Sequence, residues 1–467
     1  MNGGEDPAGR LRVSNYVAYA SGDVANNLAF SMSSMFLLIY YTDVVGISAA
    51  TAGTLLLLVR AFDAFADLFA GRVVDSTSTR WGKFRPFLLW GSLPLLLLNV
   101  AIFTVPNVGD SGKVAYAYVS YAVFGLAYSL VNIPYGSLAT AMTQDPTERA
   151  RLASLRVIGA NLAILLLAAA VSPQLKGSGD LQRSLTFTTL ALVAAGMPLY
   201  LFTFFGTRER VRREEDRVGF RETARTLRAN RALITLCLSA LMFLTGWFSL
   251  QTVAVFYARD VLGNASFYIV LTVVQTLGVL VAAGLVPQLA GAIGRKRAYQ
   301  LFGTIAIVSG IAVAVAPAAI PEIAIACFGV LGIGLGGVNT LMFALAADTV
   351  DYGEWKSGHR TEGASYSVFS FTRKIGQGVG AALAAYAIGL GGYVEGASTQ
   401  PGSAVRAIKT AAGLVPAAFI VVAVAIIALY PLTEDRFREI IREVAERRAR
   451  DAPATRLTHV GVVDPAS

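Results

Sequence analysis

Twelve long apolar stretches follow one another along this chain, separated by short polar breaks. They cover approximately residues 16–42, 49–74, 86–107, 114–143, 152–173, 184–206, 232–258, 265–291, 298–318, 322–347, 362–392 and 407–430. A helix that crosses a bilayer needs about 20 mostly apolar residues, so each stretch predicts one transmembrane helix. Residues 1–15 contain Glu5 and Asp6 and run directly into a long first span. They lack the basic start and short apolar core of a cleaved signal, so the first helix is expected to stay in the mature protein.

The polar breaks divide the chain in two. The longest internal one, 207–231, falls between the sixth and seventh spans. The segments on either side echo each other: GRVVDSTSTRWGKFRP (71–86) follows the second span and GAIGRKRAYQ (291–300) the eighth. DPTERARLASLR (145–156) follows the fourth and DYGEWKSGHRTEG (351–363) the tenth. Weak similarity at matching positions is what a parallel internal repeat predicts. The expected organisation is a tail (1–15), a six-helix bundle (16–206), a central loop (207–231), a second six-helix bundle (232–430) and a tail (431–467). This all-α, twelve-helix membrane architecture resembles the major facilitator superfamily, which implies a binding site between the halves near mid-membrane. Within the last tail, TEDRFREIIREVAERRAR (433–450) places Phe437, Ile440, Ile441 and Val444 on one face with arginines opposite. That pattern predicts an amphipathic helix on the membrane surface or on the bundle.

Composition agrees. Of the 467 residues, 55 % are hydrophobic and 15 % charged, and mean hydropathy is +0.58, against about 25 % charged in ordinary soluble domains. With the N-terminus inside, 30 of the 39 Lys and Arg residues fall on cytoplasmic segments and six on outer loops. Both termini are therefore expected in the cytoplasm of a plasma-membrane (inner-membrane) protein. The net charge of +9 is then topological and open to anionic lipid, with no nucleic-acid partner implied. Cys237 and Cys327 lie in apolar runs and read as buried small hydrophobes. His359 and His459 lie in polar segments, so no span offers zinc or Ser-His-Asp chemistry. An enzyme and a resident cofactor are not expected.

The remaining charges lie within spans, where each costs about 2.5–3.5 kcal/mol if lipid-facing. Asp23, Arg60, Asp63, Asp67, Lys374 and Arg156 must therefore meet one another or a wet cavity. Asp63 and Asp67 stand four apart in VRAFDAFADLFAG (59–71), on one helix face. Two carboxylates one turn apart repel unless a cation or proton lies between them; hard oxygen ligands suit sodium. Arg60 offers the alternative of a structural ion pair. Asp23 in YASGDVANNL (19–28) is followed by Asn26 and Asn27, a polar turn read as lining a cavity. Its carboxylate can accept two hydroxyl hydrogens, and Arg156 can complement it.

Six segments in order, IYYTDVVGIS (39–48), the Asp63–Asp67 turn, TRWGKFRP (79–86), NIPYGSL (132–138), ER-x-x-L-x-x-x-R (148–156) and VDYGEWKSGHRTEG (350–363), resemble the glycoside–pentoside–hexuronide:cation symporters, the group that includes melibiose permease. The resemblance implies that Asp63 and Asp67 bind the coupling cation with Ser129 and Asn132 nearby. It implies that Asp23, Tyr128, Asn132 and Arg156 hold the sugar, with Lys374 close to both sites. Asn132 replaces an aspartate of that group, which weakens sodium coupling relative to proton coupling. Gly136 and Asn339 replace pocket tryptophans, so stacking on the sugar falls to another ring, for which Trp247 is the candidate. Asp75, Arg80, Lys83, Arg85, Asp351, Glu354, Arg360 and Glu362 lie at cytoplasmic span ends, where such charges form breakable networks. The expected activity is import of a sugar coupled to a proton or sodium ion, for which a monomer suffices. A lysolipid or drug carrier of the same fold and a non-transporting sensor are the rivals.

Overall fold

The computed structural model describes residues 11–143, 145–176, 180–209, 228–358, 362–397 and 399–451. Its helices are α1 (Val13–Tyr40), α2 (Ala49–Ser76), α3 (Arg85–Trp90), α4 (Ser92–Ile102), α5 (Gly109–Met142), α6 (Pro146–Val171) and α7 (Leu181–Gly206). After the central loop come α8 (Arg231–Phe256), α9 (Phe267–Ile293), α10 (Arg295–Val315), α11 (Pro321–Ser357), α12 (Glu362–Leu390), α13 (Gly402–Lys409), α14 (Val415–Ala428) and the tail helix α15 (Glu434–Asp451). Among the described residues, nine helices are apolar enough to cross a membrane by composition alone. The other three spans come from α2 and α12, diluted by polar and charged residues, and from the third stretch, interrupted at Gly91 into α3 and α4. A helix can be too polar for a lipid-facing span and still cross when its polar face meets protein.

Capping residues set several starts. Ser48, Asp180 and Asn230 each accept a hydrogen bond from the backbone N–H three residues on, which satisfies one of the orphan donors of a first turn. Phe187, Phe205, Val315 and Leu390 are exposed, the apolar outer surface that a bilayer covers.

Helices α1 to α7 pack mainly on one another, and so do α8 to α14. The two groups meet along α2 with α12, α1 with α8, and α6 with α9. The start of α1 and the helix Glu434–Asp451 lie on one face, the tail face; the loop after α1 lies on the far face. The described part of the tail is a helix, as its pattern predicts. It docks on α11: Trp355 Nε1 donates to Glu443 at 2.6 Å, and the Arg436 guanidinium lies over the Trp355 ring.

On the far face α1 and α8 end alike. Each finishes in one widened turn, Tyr41–Val45 and Tyr257–Val261, followed by a glycine at positive φ, Gly46 at 80° and Gly263 at 71°. YYTDVVG (40–46) and FYARDVLG (256–263) are thus a further internal echo, one that the sequence reading did not use.

Candidate functional site

The buried charges gather around α5. Gly125, Tyr128, Ser129, Asn132 and Gly136 recur at helical spacing, so they share a stripe of that helix. At Gly125 the stripe touches α2 so closely that a Cβ there would stand 1.7 Å from Asp63 Oδ1. Asp63 is 3 % exposed, and Arg60 Nη1 approaches its Oδ2 at 3.4 Å. Arg60 also donates to Ser34 Oγ at 3.2 Å and lies over the Phe30 ring. One turn on, Asp67 pairs through Oδ2 with Lys374 of α12, a contact between the two helical groups. Asp63 Oδ1, Asp67 Oδ1 and Ser129 Oγ are buried with no hydrogen-bond partner. Asp63 therefore carries the structural arginine on one oxygen, while its second oxygen is without a partner.

The second cluster lies further along the same stripe. Arg156 Nε donates to Asp23 Oδ1 at 3.1 Å, and Asn27 Nδ2 to Asp23 Oδ2 at 3.0 Å. The guanidinium lies over the Tyr135 ring, which stacks on Tyr19 with centroids 4.9 Å apart. Gly136 leaves room here: a Cβ on it would still be 3.7 Å from Arg156 Nη1. Tyr128 joins the two clusters. Its ring packs on Phe30 and Phe124.

Asn26 is 1 % exposed; its Oδ1 accepts a hydrogen bond from Tyr200 of α7 at 2.7 Å, and its Nδ2 is buried without a partner. The polar turn of α1 thus faces two ways, with Asn26 bonded to α7 and Asp23, held by Asn27, bonded to Arg156 of α6. Trp247 packs edge-on against Phe243, 5.6 Å between centroids, and its Nε1 is buried without a partner. Asn339 Oδ1 is in the same condition. A cavity between the two helical groups is lined by Ser34, Arg60 and Tyr121 on one side and Phe248, Thr252 and Gln377 on the other.

The tail-face residues behave differently from one another. The Arg85 side chain donates to the Phe204 carbonyl, and its backbone N–H, with those of Lys83 and Phe84, reaches Glu209. Arg80 stacks on Trp81. These contacts of Arg80 and Arg85 tie the first group of helices to itself. Glu354 and Asp351 sit at the end of α11, buried and half-buried. Arg360 and the side chains of Asp75 and Glu362 lie outside the described residues.

Sequence reading missed a cluster on the far face. Arg259 forms ion pairs with Asp43 across the two groups and with Asp260 on its own helix, at 2.7 Å for the latter. Tyr393 of the segment after α12 donates to Asp43 at 2.8 Å and accepts from Arg259 at 2.6 Å. The signal that could have found it is the YYTDVVG/FYARDVLG echo, with acids at matching positions and an extra arginine in the second copy.

A family model for MFS/sugar transport proteins matches residues 18–434. The chain is 47 % identical over 441 residues to the glucuronide carrier protein homolog of Escherichia coli (strain K12), covering 92 % of this chain and 95 % of that one. It is 33 % identical to the isoprimeverose transporter of Lactiplantibacillus pentosus over 84 % and 83 % of the two chains. Among solved structures, a bacterial homolog of the human lysosomal transporter Spinster, inward-facing and unoccupied, superposes with a TM-score of 0.67. It is 14 % identical and covers 94 % of this chain and 99 % of its own, a likeness of fold.

Proposed function

The chain belongs to the MFS/sugar transport protein family, a multi-pass membrane transporter rather than an enzyme, and from that premise we propose that it imports a glycoside together with a proton or sodium ion. The observation that carries this reading is the cross-group contact Asp67–Lys374 beside three buried oxygens without partners, on Asp63, Asp67 and Ser129. Without a coupling ion, Arg60 and Lys374 neutralise the two acids. An arriving cation takes the unclaimed oxygens and competes with Lys374 for Asp67, which loosens the tie between the bundles. Tyr128 and Asn132, on the same stripe of α5, pass the change to the sugar subsite at Asp23 and Arg156. Coupling is then reciprocal: the cation raises sugar affinity by the factor by which sugar raises cation affinity. Asn132 in place of a carboxylate leaves fewer hard charges for sodium and favours the proton.

Two six-helix bundles, 16–206 and 232–430, rock about this interface. The excess of Lys and Arg on the tail face supports a cytoplasmic tail face, and the far-face cluster Asp43–Arg259–Tyr393 is then an outer latch, closed here. The names of the relatives support a sugar cargo and leave its charge open, since a glucuronide is an acid and isoprimeverose is neutral.

The test is ligand binding to purified protein with α- and β-galactosides, glucosides, xylosides and glucuronides at two pH values, with and without sodium. Strengthening of one glycoside by sodium or by lower pH is expected, and Asp63→Asn should abolish that dependence. A cation-stimulated hit that survives Asp63→Asn unchanged would move the ion elsewhere. No binding across the panel would give the site to a non-sugar cargo.

A further inference from the structure

Three consecutive cations, Arg295, Lys296 and Arg297, open α10 on the tail face. The tail helix starts beside them: a Cβ on Gly294 would stand 3.7 Å from Glu434 Cβ. Between the two lies a cavity of about 360 Å³, lined by those three cations and, from the tail, by Glu434, Asp435 and Arg438. Its volume is at the lower end of the about 300–1,000 Å³ of small-molecule sites. None of the charges of the candidate ion and sugar sites lines it.

Two of the three cations are engaged. Arg295 pairs with Asp348 of α11 and lies over the Phe437 ring, 5.1 Å from its centre; Lys296 donates to the Tyr430 carbonyl at 3.0 Å. These contacts hold the start of the tail helix to the second bundle and fix the cavity walls. Arg297 is exposed and meets no carboxylate and no other acceptor among the described residues. On the tail side Arg438 Nε is 3.8 Å from Glu434 Oε1, with the arginine side chain 71 % exposed, a pair of little strength. Asp435 is exposed and without a cation among the described residues. The cavity thus presents unclaimed charge of both signs, Arg297 on one wall and Asp435 on the other. A ligand with a single negative charge would leave Asp435 unanswered, and one with a single positive charge would leave Arg297.

The surroundings say where such a ligand comes from. Arg297 begins an outward stripe on α10: Leu301, Val308, Ile311 and Val315 follow at helical spacing, all exposed. Leu277, Val281 and Leu285 make a like stripe on α9, which runs to the exposed Ile293 at the cavity edge. Such faces are what a bilayer covers, so the cavity stands where acyl chains end and headgroups begin. We infer that it takes the headgroup of an amine-bearing phospholipid from the tail-face leaflet, with the phosphate on Arg297 and the ammonium on Asp435 and Glu434. A guanidinium matches phosphate oxygens through parallel N–H···O bonds, and a primary ammonium has three hydrogens to share between two carboxylates. The bound lipid joins α10 to the start of the tail helix. The inference needs only the membrane-spanning fold and is independent of what the carrier transports.

The experiment titrates the purified full chain in detergent with three dioleoyl lipids, phosphatidylethanolamine, phosphatidylcholine and phosphatidylglycerol, and counts bound lipid by native mass spectrometry. Free phosphoethanolamine, the headgroup without chains, is a fourth arm. One saturable ethanolamine lipid is expected, bound at least about tenfold more tightly than the choline lipid, whose quaternary ammonium donates no hydrogen bond, and than the glycerol lipid, which lacks the amine. Free phosphoethanolamine should bind at least about tenfold more weakly than the whole lipid, for want of chains on the apolar stripes. Arg297→Gln should weaken the ethanolamine lipid by about tenfold or more. Asp435→Asn should bring it down toward the choline lipid. Both residues are exposed, so neither change should lower the melting temperature of the lipid-free protein. Equal retention of the three lipids by the unaltered protein, or retention of none, overturns the inference with no variant needed. Preference for the glycerol or the choline lipid overturns the amine assignment. Phosphoethanolamine bound as tightly as the lipid gives the cavity to a soluble ligand and overturns the lipid source. Undiminished retention by both variants places the lipid elsewhere on the protein and overturns the site.

Discussion

Asp63 shows how much one missing methyl group decides. Its carboxylate occupies space that only a glycine at position 125 leaves open, since a Cβ would fall 1.7 Å from Oδ1. Gly125→Ala must therefore push the carboxylate off its place while leaving its charge intact. The expected outcome is a folded protein whose cation affinity drops by at least about tenfold, an effect the size of one lost charged hydrogen bond. Binding of the cation, by isothermal titration, checks this; an unchanged affinity would mean that Oδ1 takes no part. At this scale the candidate site was legible because charge in an apolar run is an anomaly. Asp23, Arg60, Asp63, Asp67 and Lys374 stood out for that reason. Asp43 and Arg259 did not, because a charge at a span end is ordinary. Their pairing joins residues 216 apart in the chain, a distance no local pattern reports.

The helices meet where side chains are small. On α11 the glycine run divides its work: a Cβ at Gly332 would strike the Gln275 carbonyl oxygen of α9 at 2.1 Å, and one at Gly334 the Ala306 backbone of α10 at 2.5 Å. Both neighbours are backbone, which cannot turn aside, so the run serves close packing on two sides at once. Gly334→Leu should destabilise the second bundle by about 1–3 kcal/mol, the usual range for overpacking, seen as a lower melting temperature in detergent. An unaltered melting temperature would mean that α10 and α11 can separate there and that the run is a sliding surface. Between α2 and α12 the fit is similar, with Gly53 against Ala385 and Ala382, and Thr54 bonded to Tyr386 at 2.7 Å. Cysteines at positions 54 and 386 should cross-link and stop transport if these helices part during the cycle; undiminished uptake after cross-linking would show that they do not. Hydropathy made the spans legible, even α2 and α12, because their apolar runs are long. The interruption at Gly91 had a signal that hydropathy does not weigh: in WGSLP (90–94) Pro94 offers no N–H to the carbonyl of residue 90 and crowds it, so the helix breaks one turn before the proline.

For the molecule as a whole, the far-face cluster is a charged contact that joins the two helical groups. Arg259 holds Asp43 from the other helical group, and Tyr393 donates to the same carboxylate. Removing the cation should favour the state open on that face: Arg259→Gln is expected to shift the equilibrium by about 5- to 150-fold, the range of typical coupling energies. Labelling of a single cysteine introduced at position 256, compared with the unaltered background, checks it, and unchanged labelling would mean that helix packing alone keeps that face shut. The same arginine has a second carboxylate, Asp260, next to it on its own helix. When the bundles separate, Arg259 keeps that neighbour and only Asp43 is released, at a surface that water can reach. Opening thus exchanges partners and never strips a buried ion bare, which would cost several kcal/mol. A clasp of this kind gives a definite closed position without storing a large barrier behind it, so the turnover of the carrier is left to be governed by the ligands at its centre.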